Sequence, residues 1–270
     1  MQKQNTGKTA NTGRRRGRPS MPDTSLLGNF ITEVYVPFAS NRKRSWKLDQ
    51  RTAHLHIIPY LGHRKLTGIQ RKDIEKWLHT LLAKGLAPAS CNRILHVLKT
   101  VYSHAVAHGL LPEHRSPCRD VPSLREGLPR ARFLTAEEAY RLKKVLEASP
   151  QPEAKAILLL LLTGGRKQEI LQARWEHVCL DRRILTVPLS KSGKPRPIAL
   201  STEAVTVILS LPREPGCPWL FPGHAPGRPL RDIYTYWNPL RQKLGLDNVR
   251  IHDLRHSFAS FLVNAGHSLY

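Results

Sequence analysis

The stretch Thr163–Trp175, TGGRKQEILQARW, follows seven unbroken apolar residues, Ala156–Leu162. A run that apolar reads as a core helix, and the Gly164-Gly165 pair marks where it stops. Arg166 then stands where the next helix begins, so a guanidinium and the backbone N–H groups of a helix start face one point, an arrangement suited to a phosphate. Farther along, Ile251–Ser260, IHDLRHSFAS, sets His252 and Arg255 at i, i+3 on one helix face, with Leu254, Phe258 and Phe261 on the buried side. Between the two lies Ser190-Lys191-Ser192-Gly193-Lys194, with Lys191 at the tip of an expected hairpin. Secondary structure would hold all three cations rigidly. Each also has an ordinary alternative: a helix-capping arginine, a solvated hairpin lysine, an exposed basic turn.

The surrounding pattern places these turns in one domain. Thr135-Ala136-Glu137-Glu138 is a capping box that opens a helix through Leu146, and Glu153–Leu162 is the core helix. Arg183–Leu189 and Arg196–Leu200 read as two short strands flanking the lysine turn. Ser201 caps a further helix, Leu230–Leu244 is helical with an interruption near Pro239, and His252–Ala265 is the last helix, stopped by Gly266. Upstream, four helical stripes fit into fewer than 90 residues. The first, with Leu26, Leu27, Phe30, Ile31, Val34 and Tyr35, is expected to end at Pro37, and the second, Trp46–Ile58, at Pro59. Ile74, Trp77, Leu78, Leu81 and Leu82 mark the third, and Ile94, Val97, Leu98, Val101, Tyr102 and Ala105 the fourth.

The expected organisation is therefore a disordered basic arm over 1–20, a helical core DNA-binding domain over 21–111, a proline-rich linker over 112–132 and a catalytic-type domain over 133–270. Net charge agrees with a polyanion partner: 43 Lys+Arg oppose 20 Asp+Glu in 270 residues, +23 with histidines neutral. The excess is spread over the arm and both domains, so two domains are expected to touch the nucleic acid. On the helical domain Arg42, Lys43, Arg44, Lys47, Arg51, Arg93 and Lys99 lack acidic partners at helical spacing and are candidate phosphate contacts. In the arm, Arg16-Gly17-Arg18-Pro19 resembles an AT-hook core, a minor-groove reader, with a generic basic tail as the alternative. An apolar content of 40% is enough for a buried core, and the longest apolar run is too short to span a bilayer. Cys91, Cys118, Cys179 and Cys217 lie far apart, which argues against a cysteine-rich zinc site or a disulfide framework and for a reducing, cytoplasmic setting. His252 and His256 could pair on zinc, but no neighbouring ligands complete a tetrahedral set.

Taken together, TGGRKQEILxARW, the hairpin lysine and HDLRHSFAS resemble the tyrosine recombinases, the phage-integrase family of site-specific DNA recombinases, over roughly residues 25–270. The resemblance implies a mainly α protein: a four-helix, SAM-like core-binding domain followed by a mixed α+β integrase-type catalytic domain with a small β-hairpin or sheet. It implies that a tyrosine hydroxyl attacks a DNA phosphodiester, forming a 3′-phosphotyrosyl link and releasing a 5′-hydroxyl. Arg166 and Arg255 would cradle the non-bridging oxygens, a place where a lysine's point charge could not supply the bidentate fork. His252 would help with proton transfer and positioning, and Lys191, with Lys194 as the alternative, would protonate the leaving oxygen. Glu169 matches an acidic orienter after the first arginine, and His256 a packing or supporting residue. Duplex DNA is the implied partner, in tetramers assembled on it; no metal, small-molecule cofactor or membrane is called for.

The family also needs a Gly-His or Gly-Trp box and then its tyrosine. Gly266-His267 and Tyr270 invite that assignment, but Gly266–Tyr270 fits the turn ahead of the box. Some eleven helical residues at about 1.5 Å each would also carry the helix end about 15 Å from Arg255. The expectation is thus a catalytic domain incomplete at its C-terminus, able to bind DNA without cleaving it. The alternatives are a non-catalytic DNA-binding remnant or regulator at recombination sites, and an unrelated RNA-binding protein, which the lack of an aromatic-rich sheet motif disfavours.

Overall fold

In a computed structural model, residues 23–128, 132–188 and 194–266 are described. The basic arm with Arg16 and Arg18, the hairpin tip with Lys191, and His267 and Tyr270 lie outside the described residues. Two compact units divide after Leu128.

The first unit is built of helices. Leu27–Phe30, Ile31–Tyr35 and Val36–Arg42 run on as one helix, α1, and Trp46–Thr52, Ala53–Ile57 and Ile58–Leu61 as a second, α2. Both continue past the prolines expected to end them. The reason is local: Ile31–Tyr35 and Ala53–Ile57 are π turns, in which Val36 N–H reaches back five residues to the Ile31 carbonyl and Ile58 N–H to that of Ala53. A widened turn just ahead of Pro37 and Pro59 accommodates the ring and the missing donor without breaking the helix. Arg71–Ala83 forms α3 and Pro88–Ala107 forms α4. Phe30, Tyr35, Ile57, Ile74, Trp77, Leu98 and Tyr102 are buried among them. Polar tips inside this core are satisfied: Trp77 Nε1 donates to the His56 carbonyl (2.8 Å) and Tyr102 to that of Leu66 (3.1 Å). Residues 111–124 lie on the same core. Leu111, Cys118 and Val121 are buried, and the Asn92 side chain both donates to and accepts from the backbone of Leu124.

The second unit surrounds one apolar helix. Ala136–Ala148 (α5) is opened by the expected capping box, with Thr135 Oγ1 accepting from Glu138 N–H at 3.1 Å. Pro152–Thr163 (α6) buries Ala154 and Ala156 through Leu161, which explains its all-round apolar sequence. Around it pack α5, Lys167–Leu171 (α7), Thr202–Leu209 (α8), Tyr234–Lys243 (α9) and Ile251–Asn264 (α10). Helix α9 continues through Pro239, where an interruption was expected. Three antiparallel strands, β1 (Val178–Cys179), β2 (Ile184–Val187) and β3 (Arg196–Ala199), follow one another in order; β1 was not foreseen. The register sets Leu185 opposite Ile198, both buried, and Val187 opposite Arg196. Fully buried Ser257 on α10 accepts from Leu134 N–H and donates to the Asp253 carbonyl, each at 2.8 Å. Among the described residues no helix is long and apolar enough to cross a membrane.

In the first unit, His104 on α4 stacks on Phe38 at 4.0 Å beside His108, with Nε2 buried and unpartnered among the described residues. Burial pushes its pKa down, and the charges of His108 and Arg42 add to that. A depressed histidine means that the unfolded chain takes up the proton first, so stability is lost as pH falls through the unfolded value of about 6.5. Urea denaturation should therefore show the helical unit weakening between about pH 7.5 and 5.5, and His104→Gln should flatten that slope. An unchanged slope in the variant would remove His104 as its cause.

Candidate active site

The site begins where α6 ends. Thr163 Oγ1 donates to the Leu159 carbonyl and accepts from Gly165 N–H (3.2 Å), closing the last turn. Gly164 takes the left-handed conformation, φ 59° and ψ 19°. A side chain there would also collide with Phe258 of α10, whose Cδ1 lies 2.4 Å from the position of a Cβ. That close approach brings Arg255, also on α10, to the turn: its Nη1 donates to the Gly164 carbonyl at 2.5 Å.

Arg166 caps α7. Its backbone N–H and its Nη1 both donate to the Glu169 carboxylate, each at 2.9 Å. The backbone donors expected to serve a phosphate at this helix start are thus already partly engaged, Gly165 N–H by Thr163 and Arg166 N–H by Glu169. The guanidinium groups are left as the main candidates for binding an anion. Glu169 is shared with a residue that sequence reasoning missed, Arg196 at the start of β3, whose Nη2 and Nε lie 2.5 and 3.4 Å from the two carboxylate oxygens. Only the pairing of β3 with β2 brings Arg196 beside α7, and nothing in the local pattern announces it. Burial alone would raise the Glu169 pKa, but hydrogen bonds from Arg196 and Arg166 outweigh it and hold the carboxyl below its usual value. For Arg255 burial is the main influence and the charges of Arg166 and Arg196 the next, all pushing its pKa down against the pull of Glu169. Three arginines and one carboxylate therefore act on one another, and arginine stays protonated under such pressure. Arg196, Arg255, Gly164 and Phe258 line a cleft of about 310 Å³.

His252 and His256 are exposed one turn apart on α10, their rings 5.0 Å apart and perpendicular. Among the described residues no group of three metal-ligating side chains gathers. Lys194 is exposed two residues before β3, whereas Lys191 lies outside the described residues. The candidate DNA contacts of the helical unit separate into two kinds. Lys43 pairs with buried Asp49 (2.6 Å), which also accepts from Tyr35, and Lys99 donates to the Val121 carbonyl (2.8 Å). Arg42, Arg44, Lys47 and Arg93 are exposed, Arg42 over the Phe38 ring and Lys47 over that of Trp46.

Comparison with known proteins gives matches over both units. Residues 132–270 match the model described as Phage integrase family, and residues 40–82 the one described as Phage integrase, N-terminal SAM-like domain. The chain is 28% identical over 215 residues to tyrosine recombinase XerC of Xanthomonas campestris pv. campestris (strain B100), covering 77% of this chain and 66% of that protein, just under two thirds of its length. It is 30% identical over 219 residues to tyrosine recombinase XerD of Brucella suis biovar 1 (strain 1330), covering 73% and 70%. The Tn1549 transposon integrase in complex with circular intermediate DNA superposes with a TM-score of 0.74 at 18% identity, covering 90% and 89% of the two chains. The lambda integrase dimer bound to a core site gives 0.69 at 18%, covering 90% and 91%.

The turn at Gly164 is directly testable. Gly164→Ala should destabilise the second unit by about 2–5 kcal/mol, combining ~1–2 for a left-handed alanine with ~1–3 for overpacking against Phe258. Adding Phe258→Ala should remove only the steric share of that loss relative to Phe258→Ala alone. Urea denaturation of the four proteins checks this, and full additivity would disprove the contact.

Proposed function

The chain belongs to the phage integrase family, and on that premise we propose that it binds duplex DNA at a specific site and serves DNA strand exchange of the tyrosine-recombinase type. The observation that carries this reading is the convergence of Arg166 and Arg255, from two different helices, at one turn. In the proposed reaction a tyrosine oxygen bonds to phosphorus, the bond from phosphorus to the 5′ oxygen breaks, and that oxygen leaves as a hydroxyl; attack by another strand's 5′-hydroxyl reverses the step. The two guanidiniums face the non-bridging oxygens, where negative charge grows. Lys191 or Lys194 delivers the proton to the leaving oxygen, and His252 assists the transfer. Among the described residues no tyrosine is hydrogen-bonded to the arginine cluster, and none of them is assigned the attacking hydroxyl.

The helical unit acts as the core-binding domain, with Arg42, Arg44, Lys47 and Arg93 on phosphates, and copies of the chain associate on the DNA. Since the partner is chromosomal or mobile-element DNA, the cytoplasm is the proposed place of action.

Selection from random duplexes should recover an inverted-repeat site, with affinity falling about 10³-fold or more between 50 and 200 mM salt if six or more phosphates are neutralised. Replacing one phosphate in each half-site by an uncharged methylphosphonate should weaken binding about 10- to 100-fold, the scale of a lost hydrogen bond to a charged group. Arg166→Ala and Arg255→Ala should bind the two DNAs almost equally. Equal affinity for structured RNA would overturn the duplex assignment, and a full methylphosphonate penalty in both variants would reduce the protein to a DNA binder without this cradle.

A further inference from the structure

Resting on that reading of the arginine cradle, we propose that Arg196 is its positioning residue: it takes up the charge of Glu169, leaving Arg166 available to phosphate, and ties the lysine hairpin to the same turn.

The geometry separates the two arginines on Glu169. The carboxylate is nearly buried, its side chain 9% exposed, while Arg166 and Arg196 are 40% and 31% exposed. Arg196 presents its Nε–Nη2 edge to both oxygens, the side-on fork that suits a carboxylate. Arg166 gives the same group one guanidinium nitrogen, Nη1, and keeps the rest of its more exposed head outward. Charge counting gives the consequence. A lone Arg166–Glu169 pair would be neutral, and a phosphate would meet the attraction of Arg255 alone. With Arg196 present, three cations face one anion and the cluster carries two net positive charges, the number suited to a phosphodiester that gains negative charge on attack.

Position adds a second consequence. Arg196 opens β3 opposite Val187, the last residue of β2, and therefore stands at the root of the loop that carries Lys191 and Lys194. Its ion pair with Glu169 fastens that root to the first turn of α7, where Arg166 begins the helix. The lysine hairpin and the first arginine thus share one anchor.

The methylphosphonate comparison distinguishes this role from general support. The full chain with Arg196→Ala should lose most of the phosphate-specific penalty, from about 10-fold or more to about 3-fold or less, because Arg166 turns back to Glu169. Adding Glu169→Gln removes the competing charge and should restore a penalty of about 10-fold, although the ion pair is still absent. Arg196→Gln, a long neutral side chain that can still hydrogen-bond Glu169, gives the same reading if the alanine variant does not fold, with folding followed by circular dichroism. An unchanged penalty in Arg196→Ala would overturn the proposal while leaving the cradle in place. So would a penalty lost and not restored by Glu169→Gln, since Arg196 would then touch the phosphate itself. If the unaltered protein shows no phosphate-specific penalty, the cradle falls and this proposal with it.

Discussion

Gathering like charges is the constraint around which the second unit is organised. Two unit charges 4 Å apart at an effective dielectric near 20 interact by about 4 kcal/mol, so three guanidiniums in a partly buried cleft repel one another in three pairs. A single carboxylate placed among them contributes three attractive pairs. Glu169 occupies that place, held by Arg166 and Arg196 and within the electrostatic reach of Arg255. Its depressed pKa despite burial is the signature of that balance. One carboxylate thus offsets part of the repulsion and leaves the cluster with a net positive charge.

The rest of the unit serves to bring these charges from separate elements to one point. Helix α6 is the pillar, buried along most of its length, and it ends in Gly164, whose left-handed turn and lack of a side chain let α10 approach. Arg255 then donates to the carbonyl at that end, a group that the α-helix leaves without an internal partner. Glycine is required twice over here, for its backbone angle and for the space that Phe258 occupies. The carbonyl also orients the guanidinium by engaging its Nη1.

Much of this was legible in the amino-acid order, because it rests on short-range rules. An apolar run stopped by two glycines, a capping box at Thr135 and an i, i+3 pair on a helix are local patterns, and they placed Arg166, Glu169, His252 and Arg255 correctly on their elements. Arg196 was not legible as a member of this charge cluster, since its place there comes from strand pairing and from contact with a residue 27 positions away. Pro37 and Pro59 misled for the opposite reason. The local rule that proline ends a helix fails at both because a π turn, which the apolar periodicity does not reveal, absorbs each ring. Lys43 and Lys99 counted as surface charge in sequence because Asp49 and the Val121 carbonyl come to them only in the fold.

That last point changes what the net charge of +23 means. A count of basic residues treats each as available to a polyanion, whereas folding divides them. Lys43 neutralises a buried aspartate, Lys99 holds a strip of backbone and Arg196 takes up Glu169, so each maintains the shape on which other cations are displayed. Removing an exposed cation such as Arg44 takes away a charge that is free to meet a polyanion, so its effect on affinity would act through salt-dependent attraction. Removing an internally engaged one leaves an acceptor or a carboxylate without its partner, a loss that screening by salt relieves much less. Salt dependence therefore separates the two classes of cation: mutating the first lowers the slope of affinity against salt, while mutating the second lowers stability and leaves that slope nearly intact.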